Sequence, residues 1–291
     1  MRRTILFCLG AVLVCQAACH ADLLISGFQA NINNRFYVGA DKAFIGQPFD
    51  WSGVGQAADG TWATMISPTY FVSAAHYHPV AGDVVTFHED NNPSGPMYQA
   101  TVDSWYYQGT TNGTVADLWL GKLTAPIPAA DHIADYPVLT LPNNSDYAGD
   151  LIYVNGKPNT VGLNNIDSIV TVQEPDAPAA PTKLTVAMQF DYNPAAGQGA
   201  EECYLEPGDS GGPDFVNVNG QLALVGLHYY NGGTPGPEDL GMISGSTFVP
   251  YYVNQMDANM VGESVTTIVP EPCTPALLAG GAVGLLRRRK R

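Results

Sequence analysis

Short runs rich in Val, Ile, Tyr and Thr, each closed off by Gly, Pro, Asn or Asp, recur along most of this chain and restrict it to an all-β architecture. Trp62–Ile66, Val84–His88, Gln99–Tyr106, Leu151–Val154, Ser168–Val172, Leu184–Tyr192 and Leu222–Tyr230 all have strand length, and helical periodicity between them is scarce. β-Branched and aromatic side chains fit a pleated surface, while Gly and Pro interrupt one, so the pattern predicts a sandwich or barrel. Asn217-Val218-Asn219-Gly220 predicts a hairpin, because Asn-Gly supplies both positive-φ positions of a type I′ turn. The polar stretch Thr140–Asp150 is the expected link between an N-terminal half, to about residue 140, and a C-terminal half from about 150. Pro175–Pro181 reads as an exposed loop. No internal repeat is evident, and no Gly-rich phosphate loop precedes a helix, so nucleotide chemistry has no support.

Both ends have the composition of processing signals. Arg2 and Arg3 precede an apolar run from Ile5 to Val14, and Cys19-His20-Ala21 offers small residues for a signal peptidase, so residues 1–21 are expected to be a leader cut after Ala21. The run is shorter than the roughly 20 residues of a bilayer span. Gln16 stands where a lipoprotein leader wants an aliphatic residue, so Cys19 is not expected to carry lipid. The folded body is then residues 22–262.

Seven of the twelve Lys and Arg lie at positions 2–3 and 287–291, so the remainder of the chain has only five against 27 Asp and Glu. Such a surface repels phosphate backbones, which excludes nucleic acid as a partner. Of five cysteines, Cys8, Cys15 and Cys19 fall in the leader and Cys273 in the tail. Cys203 is left alone in the body, so an exported domain of this kind must rely on a hydrophobic core instead of disulfides.

Glu206-Pro207-Gly208-Asp209-Ser210-Gly211-Gly212-Pro213 carries the most chemistry. A hydroxyl nucleophile needs an exposed Oγ and nearby backbone N–H groups aimed at the developing oxyanion, and glycines allow the main chain to turn that tightly. Such a serine also needs a base. Ser73-Ala74-Ala75-His76, after the strand-like Tyr70-Phe71-Val72, supplies a histidine following small residues. His78 is the competitor, but two residues on it points in another direction, so only one of the two can face Ser210. His20, His88, His132 and His228 have no comparable context. The third group must be a carboxylate that accepts from the imidazole, and Asp117 heads the apolar run Leu118-Trp119-Leu120, where an unpaired charge would be costly.

The hexapeptide Gly208–Pro213, the Ser-Ala-Ala-His segment, the Asp117 strand and the order His, Asp, Ser together resemble the trypsin/chymotrypsin family of serine peptidases. The resemblance covers most of residues 60–255. It implies two perpendicular six-stranded Greek-key β-barrels with the active site in the cleft between them. It also implies His76, Asp117 and Ser210 as catalytic residues, an oxyanion hole from the N–H groups of Gly208 and Ser210, protein or peptide substrates, and neither cofactor nor metal. Leu224–Asn231 matches the strand flanking the specificity pocket, which assigns Tyr229, Tyr230 and Asn231 to substrate binding and puts Tyr204 near the pocket base. Tyr204 is not the acidic residue of trypsin-like pockets, so cleavage after Lys or Arg is not expected. Tyr229 replaces the small residue that usually supports the Asp–His pair. No Ile-Val-Gly-Gly start is present, and Ile25-Ser26-Gly27 does not supply one, so an N-terminal ammonium is not expected to pair with Asp209.

Val269-Pro270-Glu271-Pro272, an apolar run from Cys273 to Leu286 and Arg287-Arg288-Arg289-Lys290-Arg291 resemble the PEP-CTERM sorting signal of Gram-negative bacteria, which a membrane transpeptidase, exosortase, reads. Residues 263–291 are therefore expected to hold the chain briefly in the inner membrane, basic end inside, before transfer to the cell surface or extracellular matrix. The sequence points first to a serine endopeptidase working through an acyl-enzyme on Ser210, and second to a non-catalytic binding module on the same fold.

Overall fold

The structure is a computed structural model that describes residues 22–174, 183–232 and 241–270. The expected leader, the Pro175–Pro181 loop and the sorting tail beyond Pro270 lie outside the described residues, and among the described residues no helix is long and apolar enough to cross a membrane.

A short strand β1 (Leu24–Ile25) and a single-turn helix α1 (Ala30–Asn33) lead into six strands. These are β2 (Val54–Ala57), β3 (Trp62–Met65), β4 (Tyr70–Ser73), β5 (Val84–His88), β6 (Met97–Thr111) and β7 (Thr114–Leu123). They close a barrel in the order β2-β3-β4-β7-β6-β5. Strand alternation fills it: on β5, Val85 and Phe87 are buried while Val84, Thr86 and His88 turn outward. Phe71 on β4 pairs with Gly121 on β7, and a Cβ at Gly121 would come within 2.2 Å of the Phe71 ring. The glycine is what lets a fully buried phenyl ring occupy the barrel interior.

The second half contributes β8 (Val138–Leu139), β9 (Leu151–Gly156), β10 (Thr160–Asn165), β11 (Ser168–Gln173), β12 (Leu184–Asp191), β13 (Cys203–Tyr204), β14 (Pro213–Val218), β15 (Gln221–Gly232), β16 (Ile243–Phe248) and β17 (Thr267–Ile268), with helix α2 (Val253–Asn259). All but β13, which pairs with β1, belong to one nine-stranded sheet. Its central path is β10-β9-β14-β15-β16-β12, and β11 adds an edge beyond β12; β8 pairs with β15 and β17 with β8, so the fold runs past the expected boundary at residue 262. The two sheets, of six and nine strands, are consistent with the expected double barrel, the second having three strands more than the six expected. The chain is mostly β. The predicted hairpin joins β14 to β15 through Asn219 at φ 55° and Gly220 at φ 90°, with Gly220 N–H donating to Asn217 Oδ1 at 2.8 Å.

The two halves share one apolar core in which Val72, Leu118 and Leu120 meet Val186, Met188 and Phe248. Edge-on aromatic packing of Trp51 on Phe215, with centroids 5.6 Å apart, crosses the same seam. Gln255 on α2 latches the C-terminal helix to β6, accepting from the Thr110 N–H and donating to its carbonyl at 2.9 and 2.8 Å. Strand β7 runs along this seam against β12, and Asp117 sits on it.

Candidate active site

Asp117 is fully buried, and its whole polar periphery is occupied. Its N–H donates to Thr185 Oγ1 at 3.0 Å, and its carbonyl accepts from Thr247 Oγ1 at 2.8 Å, so β12 and β16 of the second sheet fix a residue of the first barrel. Its carboxylate turns to the loop after β4. There Oδ1 accepts the His76 backbone N–H at 2.9 Å and Oδ2 lies 2.8 Å from His76 Nδ1. A carboxylate only accepts, so Nδ1 is the donor in this bond and Nε2 is the nitrogen left for the nucleophile's proton. The imidazole edge remains partly open to the cleft, with 30 % of the side chain exposed.

Ser210 reaches the same cleft from the turn between Leu205 and β14. Gly211, at φ 80°, packs onto the His76 loop so closely that a Cβ there would lie 2.6 Å from Ser73 Oγ and 3.2 Å from the Ala74 N. That contact sets the nucleophile turn directly against the histidine loop. Among the described residues Ser210 Oγ makes no hydrogen bond, to His76 included; such contacts commonly tighten only when substrate binds. The backbone N–H groups of Gly208 and Ser210 are likewise unpaired among the described residues, and Gly208 adopts φ 111°. They are therefore available to an oxyanion.

His78 stands apart from the triad geometry. It stacks on Trp119 at 3.7 Å, and Tyr106 covers the other Trp119 face at 4.0 Å. Burial pushes its pKa down. The bulky Trp119 thus packs outside the Asp–His pair. His88 and His132 are elsewhere, on β5 and after Asp131, and His20 lies outside the described residues.

A cavity of about 140 Å³ beside Ser210 is walled by Leu205, Glu206, Pro207, Asp209, His228, Tyr229, Tyr230 and Asn231. Asn231 Nδ2 donates to the Leu205 carbonyl at 2.7 Å, tying β15 to the segment that carries Ser210. The Tyr230 ring lies over Gly245 of β16, where a Cβ would come within 2.2 Å of it, and its hydroxyl accepts from Gln189 Nε2 at 2.7 Å. An aromatic side chain thereby occupies the space above β16. Tyr204 is buried deeper, its hydroxyl donating to the Gly232 carbonyl at 3.4 Å, and it does not wall this cavity. Tyr229 stands with its ring centroid 6.0 Å from that of His76 and donates from its hydroxyl to Glu174 Oε1 at 2.7 Å. Burial, then the Glu174 acceptor, pushes its phenol up, so it remains a donor.

Several neighbours escape detection in the sequence. Lys183 Nζ lies 4.0 Å from Asp117 Oδ1 and 3.7 Å from Glu174 Oε2, bringing one of the few body cations to the cleft. Thr185 and Thr247 are single hydroxyls in apolar strands, and no local motif marks them. Cys203 is fully buried, and burial raises its thiol well above the usual range, which leaves it unreactive.

No curated protein matches the chain. The family model described as trypsin matches residues 38–253, which span both sheets and the His76, Asp117 and Ser210 segments. On that match and this fold, the chain belongs to the trypsin family.

Proposed function

We propose that the protein is an exported serine endopeptidase that hydrolyses peptide bonds through an acyl-enzyme on Ser210. The observation that carries this reading is the buried Asp117 carboxylate, which holds His76 by both its backbone N–H and its ring. In the proposed reaction Ser210 Oγ attacks the scissile carbonyl, His76 Nε2 takes the hydroxyl proton, and Asp117 stabilises the resulting imidazolium. The Gly208 and Ser210 N–H groups receive the oxyanion. His76 then returns the proton to the leaving amine, and water repeats the sequence on the acyl group. The family's substrates are proteins and peptides. Incubation with a denatured protein substrate tests the reading. The wild-type chain is expected to generate new peptide ends and Ser210→Ala is not. Equal yields from both would refute it.

The placement of the protein is part of the same proposal. Arg2-Arg3 and Arg287–Arg291 both favour the cytoplasmic side, which leaves the acidic body across the membrane, and a transpeptidase of the exosortase type would cut near Pro270-Glu271-Pro272. Intact-mass measurement of the cell-surface fraction should find a chain lacking both Met1–Ala21 and Arg287–Arg291. A surface form that retains Arg287–Arg291 would show an ordinary anchor instead.

A further inference from the structure

Behind the nucleophile turn lies a second buried His–Asp pair that the proposed reaction does not use. His228 on β15 is 1 % exposed, and its backbone clamps the turn from one side, accepting from the Gly211 N–H at 2.9 Å and donating to the Gly212 carbonyl at 2.8 Å. Its ring completes the clamp. Nδ1 lies 3.1 Å from the Asp209 carbonyl oxygen, and Nε2 lies 2.9 Å from Asp214 Oδ1 on β14. Both ring nitrogens thus face oxygens that act as acceptors. A neutral imidazole has one N–H and can satisfy only one of them, whereas the imidazolium donates to both. Asp214 is fully buried, and its other oxygen, Oδ2, has no hydrogen-bond partner among the described residues, so His228 is the group that compensates its charge.

We propose that His228 is a positioning residue for Ser210: a doubly protonated ring, held between the Asp209 carbonyl and the Asp214 carboxylate, braces the nucleophile turn with a positive charge supplied from inside the second barrel. The inference rests on the peptidase reading for its consequence in catalysis, though not for the protonation state itself. The two residues flanking Ser210 on each side, Asp209 and Gly211, are each bonded to His228, so the ring and its strand fix where Oγ and the Ser210 N–H point. Other charge at the turn is arranged consistently. The Asp209 carboxylate accepts the Lys157 and Glu206 backbone N–H groups at 2.8 and 2.9 Å, while the Leu23 N–H beside it is engaged with the Lys157 carbonyl at 3.1 Å.

The groups facing His228 are Asp214 from β14 and Asp209 from the turn; Ser246, its register partner on β16, brings only a hydroxyl. Cys203 on β13 is a neutral thiol, and Lys157 acts on Asp209. Burial pulls the His228 pKa down, but the charges and hydrogen bonds of Asp214 and Asp209 outweigh it and leave it raised.

Two measurements test this. In the ¹⁵N-histidine-labelled wild-type protein at pH ~7, both His228 ring nitrogens are expected at imidazolium shifts with two observable N–H protons; a neutral tautomer would overturn the proposal. In the second, fluorophosphonate labelling of Ser210 is followed against pH. Asp214→Asn removes the charge that holds the proton, so the alkaline limb should move to lower pH by about one unit or more while near-ultraviolet circular dichroism is unchanged. A folded Asp214→Asn protein with an unmoved limb would contradict it. If the wild type fails to label at any pH, the peptidase reading falls and the nitrogen shifts decide the His228 assignment alone. They also decide it if Asp214→Asn does not fold.

Discussion

The Tyr229 hydroxyl donates to Glu174 Oε1 at 2.7 Å, and this bond joins the strand beside His76 to the β11–β12 edge that walls the cleft. A tyrosine at this place reaches past the Asp–His pair and braces the cleft wall. Lys183 sits between Glu174 and Asp117, so the wall and the triad share one small charge network.

Tyr229→Phe keeps the ring and removes the donor. Glu174 and Lys183 are partly exposed, so the bond is worth about 1 kcal/mol after solvent screening, or about fivefold. Steady-state kinetics should show KM raised by about that factor with kcat held within about twofold, because the cleft wall changes and the triad does not. An unchanged KM with a collapsed kcat would place Tyr229 in the chemistry instead.

His76→Ala should abolish turnover, whereas His78→Ala should retain most of it. Only His76 is bonded to Asp117, and His78 is engaged in the stack on Trp119. Losing that stack should cost about 1 kcal/mol of stability, readable as a lower Tm. The reverse pattern of activities would reassign the base.

The contiguous parts of this site were legible in the sequence and the distributed parts were not. His76 and Asp117 sit in short segments whose chemistry is local: small residues before the histidine, and a carboxylate heading an apolar strand that had to find a partner. The Asn219-Gly220 turn was legible for the same reason, since two positive φ angles are demanded at adjacent residues. His228 was hidden inside an apolar run whose residues Leu222–Tyr229 are all buried, so strand alternation gave no sign of which side chain met what. Its partner Asp214 lies across a β14–β15 register that shifts by a bulge just after it, and Thr185 and Thr247 meet Asp117 only through inter-sheet packing. The strands β8 and β17, of two residues each, are too short to leave a periodic signal.

Asp209 makes stability depend on pH in an unusual direction. Burial, only partly offset by His228 and two backbone N–H groups, pushes its carboxyl from the ordinary 3.8 up to about 6. The folded protein therefore holds this proton more tightly than the unfolded chain. The stability it contributes is complete below pH 3.8 and is lost as pH rises to about 6. A shift of that size corresponds to about 3 kcal/mol. Urea unfolding across this window should show wild-type stability falling by about that amount relative to Asp209→Asn, which has no proton to lose. Parallel curves for the two proteins would contradict the assignment.

Site-mapped labelling with a fluorophosphonate tests the central claim most directly, because the reagent needs an activated hydroxyl and an oxyanion hole in the same place. The folded wild-type protein should take up one label, and peptide mapping should put it on Ser210, with labelling lost in Ser210→Ala and in His76→Ala. A folded wild-type protein that takes up no label, or takes it up at another residue, would contradict the account and leave a binding module on a trypsin fold.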